Sequence, residues 1–225
     1  MTTMAVRTQT AGRPLPVAGI LAVVLWVIGI VLLESAGTPD DQATAQVIAG
    51  HYEENSGRIL AGSFVFMLGV AAFVWFLGGL RARVAEREVP LPRLASVVFG
   101  AGLLTAAMAM AFMAPEAAAA FGADQLDRSL EPATAEALSI LGDGFFIAAE
   151  AALVAFFLAC AVASLRLRAF PTWLGWASLV LAVAAVLPWI GWAVVIWGLP
   201  LWVLAVSIWV IVRPRPEGEE RDAVA

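Results

Sequence analysis

The sequence predicts an all-α membrane protein with six transmembrane helices and a short outer amphipathic helix between the first two. Of its 225 residues, 62% are hydrophobic and only 14% are charged, and the mean hydropathy is +0.90. Soluble chains are about half apolar and a quarter charged. The apolar residues also form long uncharged blocks, and the arginines lie at alternate ends of those blocks. These three observations exclude an ordinary soluble domain.

The first three blocks are each long enough to cross a bilayer once, since a crossing needs about 20 apolar residues. They are the uncharged runs Pro14–Leu33, Ile59–Leu80 and Leu94–Pro115. With their flanking residues they predict spans at about 14–34, 58–80 and 94–115.

The second half of the chain predicts three more spans, at about 136–165, 170–187 and 191–212. Within the fourth span, the run Ala137–Leu165 is apolar apart from two acids, Asp143 and Glu150. The uncharged run Ala169–Val212 has 44 residues, enough for two helices. Its predicted turn is at Pro188, because proline lacks the N–H that continues a helix and Gly191 follows closely.

The arginine distribution predicts that both termini are cytoplasmic. With the N-terminus inside, eleven arginines fall in inner segments and two, Arg58 and Arg128, in outer ones. Cytoplasmic loops carry such an excess, and an even number of spans returns the C-terminus to the same side. Residues 1–13 are a predicted cytoplasmic tail and residues 213–225 a predicted disordered one. The 20-residue first block is longer than a signal peptide's apolar core, which favours an uncleaved first helix.

The two outer segments are predicted to be structured. Thr38 before Pro39 is a typical helix start, and Gly57 is a plausible stop. This predicts a short outer helix that places His51 and Tyr52 on one side. The second segment runs from residue 116 to 136, and Pro132 is predicted to start the fourth helix.

Acids dominate these outer segments, and this predicts a surface that attracts cations and disfavours anions. The simpler interpretation is that the arginine bias leaves acids outside, and we favour it. The predicted outer acids are Glu34, Asp40, Asp41, Glu53, Glu54, Glu116, Asp124, Asp127, Glu131 and Glu136.

Glu150, Asp143 and Arg58 are the candidate intramembrane functional residues. Counting from Arg166 places Glu150 about 24 Å from the cytoplasmic end, and Asp143 about 10 Å further out. Arg58 reaches the same outer level, which predicts an Arg58–Asp143 pair. Glu150 is either a neutral hydrogen-bonding residue in a helix interface or part of an ion, proton or ligand site.

The sequence indicates no catalytic, metal or cofactor site, and therefore does not favour an enzyme. There is no lysine, one cysteine and one histidine, and no nucleophile, metal or nucleotide motif occurs. His51 and Tyr52 are weak outer-side candidates, since one histidine with carboxylates is a poor zinc ligand set. Cys160 is expected to be an inert packing residue.

Two tryptophans, Trp197 and Trp202, fall inside the sixth span rather than at its ends. We expect them to pack against other helices. A cage of aromatic side chains around a ligand is the alternative.

Several strings resemble a bacterial family of six-helix integral membrane proteins of unknown function. The likeness covers most of the chain and is carried by His51-Tyr52 to Asn55, Arg58 to Gly62, Trp75 to Arg81, Leu141-Gly142-Asp143 and Phe170 to Trp176. The resemblance implies an integral membrane protein without an assigned reaction and transfers no catalytic residues.

The sequence therefore predicts a multi-pass protein of the cell inner membrane. Its expected partners are the lipid bilayer and either further copies of itself or another membrane protein, with no nucleic acid. The leading hypothesis is a structural, accessory or regulatory membrane component that acts through helix packing. The alternative is a small proton- or cation-linked transporter or channel that uses Glu150 and Asp143.

Overall fold

Helices are the only regular secondary structure in the part of the chain that the structure describes. That part, in a computed structural model, comprises residues 14–40, 42–88, 93–125, 129–187 and 189–212. The helices are α1 (Pro14–Ala36), α2 (Ala45–Ala85), α3 (Arg93–Gln125), α4 (Pro132–Leu167), α5 (Thr172–Ala185) and α6 (Gly191–Val212).

Five of these helices are long and apolar enough to cross a membrane, which confirms the predicted class of an all-α membrane protein. The exception is α5, whose 14 residues extend about 21 Å, less than the roughly 30 Å of a hydrocarbon core. The predicted tails at 1–13 and 213–225 lie outside the described residues.

The predicted short outer helix between the first two spans is wrong, because that segment is part of α2. This helix runs unbroken for 41 residues, or about 60 Å, and passes through Gly57. A glycine ends a helix by adopting positive φ, and Gly57 does not do so. The helix also begins at Ala45 rather than after Thr38, since residues 37–40 have no regular structure.

At the outer end of the bundle, α3 ends later than predicted, whereas α4 begins at the predicted residue. α3 continues through Pro115, the predicted end of the third span, to Gln125. α4 starts at Pro132 as predicted, and the Glu131 side chain accepts a hydrogen bond from the Thr134 backbone N–H at 3.2 Å. Hydropathy locates the apolar block, whereas the helix itself extends beyond it at the outer end.

Consecutive helices pack side by side, and α6 returns to lie beside α1. Gly19, near the start of α1, lies directly against Ser207, near the end of α6. The N-terminal end of α1 and the C-terminal end of α6 therefore lie on the same side of the bundle. We call this side the inner end and the opposite side the outer end, following the arginine distribution.

Two clusters of buried side chains hold the bundle together. The larger extends along the inner half and includes residues from all six helices. A smaller outer cluster joins the extended parts of α2 and α3 to the start of α4, and consists of Ala49, Tyr52, Ile59, Ala119, Ala120 and Ala135. The outer extensions of these helices are therefore packed parts of the fold.

Candidate functional site: a chamber at the outer end

A chamber of about 1030 Å³ opens at the outer end of the bundle. Its wall comes from α1, α2, α3, α4 and α6, together with the segment that joins α1 to α2. This volume is at the upper end of the range for small-ligand pockets, about 300–1,000 Å³. The chamber is the main feature of the structure that the sequence did not predict.

A cluster of buried aromatic side chains lies in the bundle on the inner side of the chamber. Trp202 of α6 makes edge contacts with Phe76, Phe156 and Phe157 at ring-centroid distances of 6.4, 5.4 and 5.8 Å. Its indole N–H also donates to Ser178 Oγ at 2.9 Å. All these side chains are buried. We call this cluster, with the Gly19–Ser207 contact, the inner seal.

The outer part of the chamber wall is acidic. We call its polar part the rim, and its members come from four helices and one connecting segment. They are Glu34, Asp40, His51, Tyr52, Glu116, Glu136, Ser139 and Asp143. Five carboxyl groups face one imidazole, and the described wall contains no arginine. The rim therefore favours a cation in the chamber.

Tyr52 and Glu116 link α2 to α3 at the rim. The Tyr52 hydroxyl donates to Glu116 Oε1 at 3.0 Å. Both residues lie beyond the predicted spans, Tyr52 before residue 58 and Glu116 after residue 115. Burial, together with the negative charge of Glu116, raises the pKa of Tyr52 far above its ordinary value, so that the phenol keeps its proton.

Burial also raises the pKa of Glu116, and nearby Asp143 acts in the same direction. The hydrogen bond from Tyr52 opposes this effect, because it stabilises the carboxylate. The rim therefore contains a carboxyl group that takes up a proton at a higher pH than an exposed glutamate does.

His51 lies at the rim beside Asn55, whose amide nitrogen is 3.4 Å from Nδ1. Burial lowers the pKa of His51, and the negative charge of Glu54 partly offsets this effect. His51 is therefore neutral near pH 7. Among the described residues no group of three or more His, Cys, Asp or Glu side chains is placed to hold a metal ion.

The predicted pair between Arg58 and Asp143 is wrong. The Arg58 guanidinium donates instead to the backbone carbonyl of Ser35 at 2.9 Å. Ser35 belongs to the last turn of α1, where carbonyl groups lack helical donors. Asp143 lies in the chamber wall, close enough to Tyr52 and Glu116 for its charge to act on both.

Glu150 lies outside the chamber wall. Its carboxylate faces the start of α6, where a side-chain carbon added at Gly191 would be 2.8 Å from Glu150 Oε1. Glu150 is about two turns from Asp143 and therefore lies on the same side of α4, but its carboxylate is directed at Gly191 and is not part of the chamber wall. The structure thus brings Asp143 together with His51 and Tyr52, and leaves Glu150 and Arg58 apart from them.

The α6 part of the wall contains one turn of π-helix, at Val194–Gly198. Within it the Leu199 N–H bonds to the Val194 carbonyl, five residues earlier. Pro200 has no N–H, so the Ile196 carbonyl loses the donor it would have in an α-helix. Such turns occur frequently at functional sites. The proline in the sixth span was a signal for this irregularity in the sequence.

Two aromatic residues of the sixth span have different environments. Trp202 is buried, as expected. Trp197 is 57% exposed and lines the chamber, so the expectation that it packs against other helices is wrong. Trp26 of α1 is also in the wall, with Nε1 against Gly69 and without a hydrogen-bond partner among the described residues. Cys160 is fully buried, as expected for a packing residue.

Sequence reasoning grouped Glu116 with the other outer acids and did not single it out. One signal was present, because Glu116 directly follows the uncharged run that ends at Pro115. An acid directly after a predicted span is expected at the edge of the hydrocarbon, where it needs a partner.

The fold and the chamber define a class of protein, an α-helical membrane protein with a pocket between its helices. Comparison with family models, with curated proteins and with solved structures finds no match.

Proposed function

We propose that this chain is an integral membrane protein that binds a small ligand in the chamber at its outer end. The observation that carries the proposal is the chamber itself, a space of about 1030 Å³ that is open at one end and closed by the inner seal at the other. The topology belongs to the proposal, with six crossings of the inner membrane and both termini in the cytoplasm.

The chamber favours ligand binding over a component that acts through helix packing alone. Protein interiors pack as densely as organic crystals, and unfilled volume forfeits dispersion contacts. A packing component would gain stability if larger side chains filled this space. Instead, the wall combines apolar side chains with polar groups that converge from several helices, which is the composition of ligand pockets.

The alternative function, cation-linked transport, would use the same chamber. Of its two candidate residues, only Asp143 would take part. Asp143 stands in the wall and supports that reading. Glu150 does not line the chamber, so this proposal assigns it no part in binding the ligand. Binding is the step that both readings share, and it is the step to test first.

Paired cysteine variants on α3 test whether water fills the chamber. Ala109 lines the chamber, whereas Ala107, two residues earlier on the opposite side of the same helix, is exposed on the outside of the bundle. Both lie within the predicted third span, at 94–115. In oriented vesicles, a membrane-impermeant cationic thiosulfonate added from the outer side should modify A109C at least tenfold faster than A107C.

The wild-type chain is the background control, because its single cysteine, Cys160, is fully buried. Reagent added from the inner side should leave A109C unmodified, since the inner seal separates it from that compartment. Equal, slow modification of A109C and A107C from the outer side would overturn the proposal and favour a component that acts through packing.

A further inference from the structure

The chamber also opens to the side, between α1 and α6. These helices meet at the inner end, where Gly19 lies against Ser207. Toward the outer end, Val31 of α1 and Trp197 of α6 both line the chamber, yet they are 60% and 57% exposed. The contacts between α1 and α6 come mainly from Leu199–Val212, the inner part of α6, and this leaves a gap in the chamber wall beside Val31 and Trp197.

This side opening lies at the level of the membrane rather than above it. Val31 is inside the uncharged run that ends at Leu33. Trp197 is six residues after Gly191, the first residue of α6, or about 9 Å along the helix. Both positions fall within the outer part of the predicted spans, so the opening faces lipid tails.

The chamber changes from polar to apolar along its depth. The rim carries five carboxyl groups. Deeper in the bundle the wall is formed by apolar and aromatic side chains, among them Trp26, Phe66, Met113 and Leu153. A ligand that matches both regions has a charged head and an apolar body.

We propose that the ligand is an amphiphile with a cationic head group, which enters the chamber from the bilayer between α1 and α6. This inference rests on the proposed function, because it names the chemical class that the chamber binds. The head group lies among Glu116, Glu136 and Asp143 at the rim. The tail lies against the apolar wall below.

The wall selects against an anionic or phosphate-bearing head. Arginine and lysine are the cationic donors that such a head pairs with, and the described wall contains neither. Arg58, which lies nearby in sequence, bonds to the Ser35 carbonyl and does not line the chamber. Carboxylates alone would repel phosphate, whereas an ammonium group is attracted to them.

Protection of A109C from thiol modification tests the ligand class with three probes below their micellar concentrations. Dodecyltrimethylammonium has both the head and the tail, tetramethylammonium has the head alone, and dodecyl sulfate has the tail with an anionic head. Dodecyltrimethylammonium should slow modification of A109C at least fivefold. Neither of the other two should slow it more than twofold at the same concentration.

Neutralising one rim charge should weaken this protection. In the A109C background, D143N should raise the concentration of dodecyltrimethylammonium for half protection about two- to fivefold, the effect of one partly solvated ion pair. E54Q is the matched control, because it removes the same charge at the outer end from a residue outside the chamber wall. It should leave the half-protection concentration unchanged.

A larger side chain at the side opening tests whether the ligand enters the chamber from the bilayer. V31W should delay the onset of protection at least threefold, whereas V27W should not. Val27 lies one turn from Val31, is 49% exposed and does not line the chamber. Both variants are made in the A109C background, and equal onset in A109C/V31W and A109C would overturn entry from the bilayer.

The outcomes separate this inference from the proposed function. If A109C is modified from the outer side but dodecyltrimethylammonium gives no protection, or dodecyl sulfate protects as well, the ligand class is wrong and the chamber stands. If A109C is not modified at all, the proposed function fails first.

Discussion

The hydrogen bond between Tyr52 and Glu116 joins residues that are 64 positions apart in the chain. It ties the outer extension of α2 to that of α3, beside the small outer cluster of buried side chains. Tyr52 is 3% exposed, so its hydroxyl has little access to water as an alternative partner. Loss of either group leaves the other poorly solvated.

A double-mutant cycle measures this contact. Y52F should lower the free energy of unfolding by about 1–3 kcal/mol, because it leaves the half-buried Glu116 carboxylate without its donor. The double variant Y52F/E116L should be destabilised by less than the sum of the single variants. Denaturant titration in detergent micelles gives the four free energies, and a coupling energy within about 0.3 kcal/mol of zero would contradict the bond.

The raised pKa of Glu116 predicts a pH dependence of stability. A carboxyl group whose pKa is higher in the folded state contributes its full stability below the ordinary carboxyl pKa, and that contribution is lost as pH rises through the folded value. The wild-type chain should therefore gain stability relative to E116Q as pH falls from 7 towards 5.

Thermal unfolding of both chains across this pH range checks that prediction. His51 acts in the opposite direction, since its lowered pKa favours the folded state at higher pH. The difference between wild type and E116Q isolates Glu116, because His51 is present in both chains. A difference that does not change with pH would show that Glu116 titrates as it does in the unfolded chain.

Sequence reasoning reached the level of single residues only in part. It placed Asp143 near the outer edge of the hydrocarbon, a depth that stays a prediction, and the structure places this residue in the chamber wall. It paired Asp143 with Arg58 because both lie at one depth. The actual partner depends on how the helices rotate about their axes, and the free carbonyls at the end of α1 compete for the arginine.

At the scale of elements, α1 and α2 approach closely through glycines. A side-chain carbon at Gly29 would be 2.8 Å from the backbone nitrogen of Phe66, and one at Gly62 would be 3.1 Å from the Gly29 carbonyl oxygen. Small residues of this kind allow membrane helices to come into backbone contact. The two helices therefore cannot accept even a methyl group here without moving apart.

Alanine at Gly29 tests this contact. G29A should destabilise the protein by about 1–3 kcal/mol, because the added carbon meets backbone atoms rather than a flexible side chain. G78A is the matched control on α2, since nothing lies within 4 Å of its added carbon. It should be neutral or stabilising by up to about 1 kcal/mol. Equal stabilities of G29A and G78A in detergent would contradict the close packing.

The sequence predicted where the long helices lie, but it did not predict the full lengths of α2 and α3. The apolar blocks located all five long helices, because crossing a membrane requires an uncharged run. They did not show that α2 and α3 continue beyond the blocks. Those extensions, which include residues 45–57 and 116–125, are stabilised by contacts with each other, and such contacts leave no regular pattern in the sequence.

At the scale of the whole molecule, the composition predicted an all-α membrane protein. The chamber results from the tertiary arrangement of the helices. The acidic outer side could be predicted from the positions of charged residues. The cavity could not, because its wall depends on how α1, α2, α3, α4 and α6 pack and rotate against one another. The chamber exists because α6 packs on α1 at the inner end, while Val31 and Trp197 remain exposed toward the outer end.

The inner seal has a thermodynamic consequence. Trp202, with its aromatic neighbours and its bond to Ser178, separates the chamber from the compartment at the inner end. If the chamber binds the proposed ligand, that ligand would exchange only with the outer side and the adjoining lipid. Its occupancy would then follow the ligand's chemical potential on that one side, so the protein in this conformation would respond to a change in ligand concentration outside and not to the same change inside.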